Sequence, residues 1–577
     1  MLTRRRALKF LGAAGIGTGV FQRALAAKAV DGPISPQMVK EAEWIAGIEL
    51  TAAQREAAAR QLNKYRKSLK RIRAIDLDNS RQSGLNFRPL TGPNSLPDPR
   101  GYQVVTSPKP IPGATAGPRS DEDLAFASIR QIGSWLRSRK ISSVELTKLY
   151  LARLRRYDPL LKCVVTLMDE HSLQQAEQAD RDLADGKDRG PLHGIPWGVK
   201  DIIAYPGYPT TWCAPQYRHR VIDVKAAVAE RLENAGAVLI AKLASNPFAG
   251  GGVQWYRGLT RNPWNPYQDA AGSSSGSGSA TAAGLVGFSI ATDTAGSIVN
   301  PSMRCGAVGL RPTFGRVSRY GCMQLCWSLD TVGPICRSAD DCGLVFAAIH
   351  GADPRDTVSI DRKFVWPSSR EISTIRVGYS PENDKDDRER LPMLRELGVK
   401  LVPISHTKLL DDYGLTFDLI EATVAMEGAA SFDELTRRGE PKGIHGWPRY
   451  WAYGQLLSAV DYLKISRLRA ILMERLEKLM QTIDIYFGNE LALYTNLAGY
   501  PLMTFPAKLD QDKGFHVPRP QWLVGRAYDE STLMALADAY QRAIGLKERP
   551  PLEKFLAEKD AILKDEKLPD EKKLYTD

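Results

Sequence analysis

The run Gly272-Ser273-Ser274-Ser275-Gly276-Ser277-Gly278-Ser279 constrains the fold of this chain more than any other segment. Its composition alone is that of a flexible linker. A linker is flanked by polar, structureless sequence, whereas this run leads directly into residues 280–290, a helix or strand pattern rich in Ala and Gly. Side chains this small suit a backbone buried in close contact. Glycine also permits strained conformations in which serine hydroxyls and backbone N–H groups converge. The rest of the chain must supply a body large enough to bury such a segment, and with 577 residues, 43% of them hydrophobic, it does. Glycine without a triplet period and only 7 cysteines exclude collagen and a disulfide scaffold, and ordinary apolar content excludes a fully disordered chain.

Two further pieces complement the serines. Downstream, Thr292-Asp293-Thr294-Ala295-Gly296-Ser297-Ile298 is built from small residues that let successive backbone N–H groups converge beside a serine hydroxyl, the requirement for an oxyanion hole. Upstream, Gly194-Ile195-Pro196-Trp197-Gly198-Val199-Lys200-Asp201 is an apolar strand ending in a lysine. A lysine held among apolar walls and away from a carboxylate gives up its proton more easily, because desolvation disfavours the charged form. It can then act as a base toward serine, as in Ser-Lys hydrolases. The competing expectation for Lys200 is an ion pair with Asp201 or another acid.

These residues together resemble the amidase signature family, whose triad comprises a nucleophilic serine, a bridging serine reached through a cis peptide, and a lysine base. In that family the bridge is the first Ser of a Gly-Ser-Ser run and the nucleophile follows 24 residues later, the separation of Ser273 and Ser297 here. The resemblance implies Ser297 as nucleophile, Ser273 as bridge and Lys200 as base. It implies N–H groups of Thr294, Ala295, Gly296 and Ser297 as oxyanion donors, with Ser274 and Asp293 fixing loop geometry. Leu310-Arg311-Pro312-Thr313-Phe314-Gly315-Arg316-Val317-Ser318 and Asn496-Leu497-Ala498-Gly499-Tyr500-Pro501 are similar to later family passages, so the likeness runs from about residue 121 to about residue 542. There are departures: Ala295 and Ser275 stand where Gly is common, and Val299 where many members carry Arg, which removes any ion-pair role for that Arg.

Four regions are expected along the chain. Residues 1–26 read as an export signal, with a basic start, an uncharged apolar stretch over 10–21 and the small-residue site Ala24-Leu25-Ala26. Thr3-Arg4-Arg5-Arg6-Ala7-Leu8-Lys9 resembles the twin-arginine signal, which implies a periplasmic destination. The apolar run is too short for a bilayer span, so no stable membrane insertion is expected. Residues 27–120 read as a helical extension, with its helix over about 50–73, followed by a Pro/Gly/Ser-rich strap. Residues 121–550 form the main body, in which Ser142-Ser143-Val144-Glu145 offers a capping box ahead of a helical stripe. Residues 551–577, dense in acids and lysines, are expected to be a charged, frayed tail. Alternating strands and helices argue for one α/β body, and the family resemblance implies a twisted mixed sheet covered by helices on both faces.

Other chemistries fit less well. Seven scattered histidines, with no HExxH and no finger-like Cys/His spacing, give no metal site. Gly272-Ser273-Ser274-Ser275-Gly276 matches Gly-x-Ser-x-Gly, but by composition. The formal charge of +12 is no nucleic-acid signature: +5 of it comes from Arg4, Arg5, Arg6, Lys9 and Arg23, and the Lys64–Arg73 cluster has only Tyr65 as an interleaved aromatic. No Cys pair has CxxC spacing, although one bridge among Cys322, Cys326, Cys336 and Cys342 is open. Trp212, Trp255, Tyr256 and Trp264 are candidates for a pocket lining or for packing. The expected function is hydrolysis of a small carboxylic amide without a cofactor. The alternatives are a glutamine-dependent aminoacyl-tRNA amidotransferase of the A type and an inactive binding protein of the same fold.

Overall fold

The computed structural model describes residues 32–75, 117–250, 252–381, 385–404, 416–438, 447–512 and 514–564. The expected signal, most of the strap and the last thirteen residues lie outside the described residues.

Every residue of Val238–Leu243, Phe288–Asp293 and Thr331–Cys336 is buried. Strands inaccessible on both faces belong inside a layered structure, and these three lie within an eleven-stranded sheet. Numbered along the chain, its strands are β1 Val164–Leu167, β2 Pro196–Lys200, β3 Val238–Leu243, β4 Phe288–Asp293, β5 Val308–Arg311, β6 Thr331–Cys336, β7 Arg376–Tyr379, β8 Lys400–Pro403, β9 Ile485–Phe487, β10 Leu502–Asp512 and β11 Phe515–Gly525. Their spatial order is β1-β3-β2-β4-β6-β5-β10-β11-β9-β7-β8. The sheet is mixed: β3, β2 and β4 run parallel, as do β9, β7 and β8, and the remaining pairs are antiparallel. Helices cover both faces, as expected for the α/β body.

The N-terminal extension is a helical pair, α1 (Pro36–Ala46) and α2 (Ala52–Ala74). Ala58, Tyr65, Leu69 and Ile72 of α2 are buried, while Lys64, Arg66, Lys67, Lys70 and Arg71 face outward, so the basic cluster is a solvated helix face. Helix α3 (Ser143–Leu161) begins at the expected capping box, with the Ser142 side chain accepting from Glu145 N–H.

The Gly/Ser run forms a helix, α4 (Ser275–Ala282), all of it buried. A Cβ on Gly276 would lie 2.4 Å from Ala244 N and 2.5 Å from Cys163 O, so only glycine lets the helix approach the sheet this closely. Helix α5 (Val299–Cys305) follows β4. Helices α6 (Thr416–Ser431), α7 (Trp447–Gly454) and α8 (Ala459–Thr482) form a layer on which α2 rests, through Tyr65 stacked on Tyr453 at 5.4 Å and Gln61 donating to Glu421 at 2.9 Å.

One expectation needs correction. The stretch from Leu552 is not frayed up to residue 564: helices Leu552–Ala557 and Lys559–Lys564 bury Leu552, Phe555 and Ile562, and Arg156 pairs with Glu553 at 2.6 Å. One apolar residue per helical turn is enough to dock a short helix, and the surrounding charges hide that signal in the sequence. The seven cysteines are all free, so no bridge joins Cys322, Cys326, Cys336 or Cys342.

Candidate active site

β2 and β4 are parallel neighbours in register, Val199 opposite Ile290, so their C-terminal ends emerge at the same edge of the sheet. β2 ends in Lys200, and β4 ends in Thr292 and Asp293. Open α/β sheets carry ligand chemistry at the carboxyl ends of parallel strands. Ser273 precedes α4, joined to Gly272 by a cis peptide bond, and the turn after β4 carries Ser297 ahead of α5. The three elements bring the expected side chains into line. Lys200 Nζ donates to Ser273 Oγ at 2.8 Å, and Ser273 Oγ donates to Ser297 Oγ at 2.9 Å.

Lys200 is fully buried. The neighbouring Asp201 does not pair with it: Lys242 Nζ lies 3.0 Å from that carboxylate, and Thr211 N–H donates to it at 3.0 Å. With the adjacent acid in the chain engaged elsewhere, burial pushes the Lys200 pKa from 10.5 down to about 7, against the pull of Asp293 and Asp330. A second contact, which no motif in the sequence marks, is the hydroxyl of Thr292, accepting from Lys200 Nζ at 2.8 Å.

The turn bearing Ser297 is held by buried polar groups. Asp293 accepts from the N–H of Gly296 at 2.8 Å and of Ile298 at 2.7 Å, and from Asn496 Nδ2 at 3.2 Å. Arg311 Nη1 lies 3.9 Å from Asp293 and donates to Asn496 Oδ1 at 2.5 Å, so β5 supplies a cation although Val299 does not. Ser274 N–H donates to Ser297 O at 3.3 Å and Ser274 Oγ to Thr292 O at 3.1 Å, tying the two serine segments together. Asp293 holds the Gly296 N–H. Of the four expected oxyanion residues, Thr294, Ala295 and Ser297 border the cavity in front of the nucleophile. Thr294 Oγ1 donates to buried Asp330 at 2.6 Å, and Asp330 also accepts from the N–H groups of Leu325 and Cys326. Burial pushes the Asp330 carboxyl up to about 6, moderated by these donors.

The cavity has a volume of about 260 Å³ and is walled, besides the serine segments, by Asn246, Ala249, Gly250, Leu325 and Val424. None of Trp212, Trp255, Tyr256 and Trp264 lines it. Trp264 is buried with Nε1 donating to Cys305 O at 2.9 Å, and Trp212 packs edge-on against Phe248 behind the wall. Sequence reasoning did not single out Asn246, Asp330, Leu325 or Val424. Only proximity in the fold identifies them, because they come from separate segments. Among the described residues no cluster of three His, Cys, Asp or Glu is arranged to hold a metal ion, and no helix is long and apolar enough to cross a membrane.

Comparison with known proteins shows the family. Residues 145–488 match the family described as Amidase. The chain is 33% identical over 470 residues to the A-type subunit of the glutamyl-tRNA(Gln) amidotransferase of Roseiflexus sp. (strain RS-1), covering 71% of this chain and 95% of that protein. The native peptide amidase of Stenotrophomonas maltophilia superposes with a TM-score of 0.65 at 26% identity, covering 74% of this chain and 99% of that one. A bacterial aryl acylamidase shares the fold, with a TM-score of 0.64 at 20% identity, over 72% of this chain and 96% of its own. With the family match spanning more than half its length and a relative aligned almost end to end, the chain belongs to the amidase signature family.

Proposed function

We propose that the protein hydrolyses a neutral carboxylic amide through an acyl-enzyme on Ser297. The observation that carries this reading is the unbroken relay from buried Lys200 through Ser273 to Ser297, with links of 2.8 and 2.9 Å. With Lys200 neutral, the hydrogen bonds reverse: Ser297 donates to Ser273 and Ser273 to the lysine. Ser297 Oγ attacks the carbonyl carbon as its proton passes to Ser273 and the Ser273 proton to Lys200. N–H groups at Thr294, Ala295 and Ser297 receive the developing oxyanion. The Lys200 ammonium returns its proton through Ser273 to the departing amine as the C–N bond breaks. Water then attacks the ester, giving its proton along the same route, and Ser297 leaves with a proton returned from the relay.

The identity to the A-type chain of an amidotransferase favours a second reading, in which the amide is glutamine. A free amino acid brings an ammonium and a carboxylate, and burying either requires a charged partner. No described residue lining the cavity carries a charged side chain, which favours a neutral substrate. The twin-arginine-like start further supports a periplasmic amidase, away from tRNA. The deciding experiment measures ammonia release from neutral primary amides and from glutamine, with serine-directed labelling of parent and Ser297→Ala protein. Release from neutral amides, with labelling lost in Ser297→Ala, is expected. Turnover of glutamine alone would establish the second reading, and labelling retained in Ser297→Ala would remove Ser297 as nucleophile.

A further inference from the structure

Asn246 combines a fixed backbone with an unengaged side-chain oxygen. Its N–H donates to Ser273 O at 2.9 Å, and its C=O accepts from Ser245 Oγ at 2.7 Å and from Ala249 N–H at 3.0 Å. The following residue but one, Phe248, is clamped edge-on by Trp212, Phe432 and Trp451 at 5.3–5.8 Å, so the segment is rigid. The carboxamide lies directly over Gly272, where a Cβ would fall 2.2 Å from Nδ2 and 2.6 Å from Cγ. Yet Oδ1 is buried without a partner. The residue is 8% exposed and lines the cavity beside Ser273 and Ser297. A buried amide oxygen with no donor is costly, and native structures retain one where something else supplies the partner.

We infer that the Asn246 carboxamide binds substrate, pairing with a second amide in the acyl part and so selecting acyl groups that carry one over plain hydrocarbon chains. An Asn side chain offers an acceptor beside a donor, the complement of a secondary amide's N–H and C=O. A carboxylate in that place would look for a cation, and no described lining residue supplies one. For a primary amide the leaving group is ammonia, so every other recognition contact falls on the acyl part. Leu325 and Val424 form the apolar share of the wall, suited to the hydrocarbon of that acyl group. This assignment rests on the amide-hydrolysis reading.

The test compares N-acetyl-L-alaninamide with 2-methylpentanamide, which has the same chain length and branching but lacks the second amide. In Asn246→Leu, and in Asn246→Ala as a second variant, the ratio of kcat/KM for the first amide over the second should fall at least tenfold, chiefly through KM. An unchanged ratio overturns the assignment, because loss through misplacement of Ser273 would lower both amides alike. If the parent hydrolyses neither amide, the hydrolytic reading fails, and binding decides the assignment separately. Ser297→Ala protein titrated with N-acetyl-L-alaninamide should bind at least tenfold more tightly than the Ser297→Ala/Asn246→Leu double variant, and equal affinities overturn the assignment.

Discussion

Replacing Lys200 with Met should produce an inactive protein that is more stable than its parent, by an amount that depends on pH. In the unfolded chain the lysine titrates near 10.5, and in the fold near 7. Between those values the unfolded state holds one proton more than the folded state, so parental stability rises with pH across that window. At about 1.36 kcal/mol per pH unit, keeping a lysine there costs the fold about 5 kcal/mol at pH 6, where the full interval has been crossed. At pH 9 the same arithmetic leaves about 2 kcal/mol. Methionine has nearly the same length and no charge. The hydrogen bonds to Ser273 and Thr292 are lost at both pH values, so that loss shifts both measurements equally. Urea unfolding followed by tryptophan fluorescence should therefore show the Lys200→Met advantage to be about 3 kcal/mol larger at pH 6 than at pH 9. An advantage independent of pH would refute the argument, since it would mean that Lys200 titrates alike in both states and is no base near neutrality.

Other outcomes follow from the same geometry. Parental kcat/KM should rise with pH through about 7 and level off above it, because only neutral Lys200 accepts a proton; Lys200→Arg, charged throughout, should be inactive at every pH of a rate profile. Thr292→Val removes an acceptor that favours the ammonium, so the acid limb of that profile should move to lower pH, with kcat reduced about tenfold. Trapping with a radiolabelled amide should find no acyl-enzyme in Ser297→Ala, and in Ser273→Ala acylation slowed by roughly three orders of magnitude. Deleting residues 27–116 uncovers the surface beneath Tyr65 and should lower the melting temperature while leaving KM within about twofold, as checked by calorimetry and initial rates. N-terminal sequencing of protein recovered from the periplasm should begin near residue 27, and a retained Met1 would count against export.

The reacting groups were legible in the sequence because their signals are local. A Gly/Ser run with apolar flanks, a strand closing on Lys200 and the spacing of Ser273 from Ser297 each report on a short stretch of chain. The α/β body was expected from alternating elements, and its mixed sheet from the family likeness. Its strand order was not, since which strands pair is decided by packing across hundreds of residues. The groups that shape the site were hidden for the same reason: Asp330 acts through Thr294, Arg311 through Asn496, and Val424 arrives from a helix far along the chain. The passage around Tyr494 shows a local failure. Residues 494–506 read as a strand-and-turn passage; residues 502–506 do fall in β10, but residues 492–498 coil into a short helix that Gly499, at φ 72°, terminates before that strand begins.

The Asp330 carboxylate has a consequence for anyone wishing to retune this enzyme. One oxygen holds the Thr294 hydroxyl at the turn that bears Ser297, and the other holds the N–H groups of Leu325 and Cys326, the backbone from which Leu325 reaches into the cavity. Residue choice at 325 therefore alters substrate scope and reaction rate together, since repacking that backbone pulls on the carboxylate that steadies Thr294. Val424, on α6, shares neither oxygen and faces the same cavity from an independent element. A library intended to widen the acyl range without slowing the chemistry is better aimed at position 424, with Leu325 left unchanged.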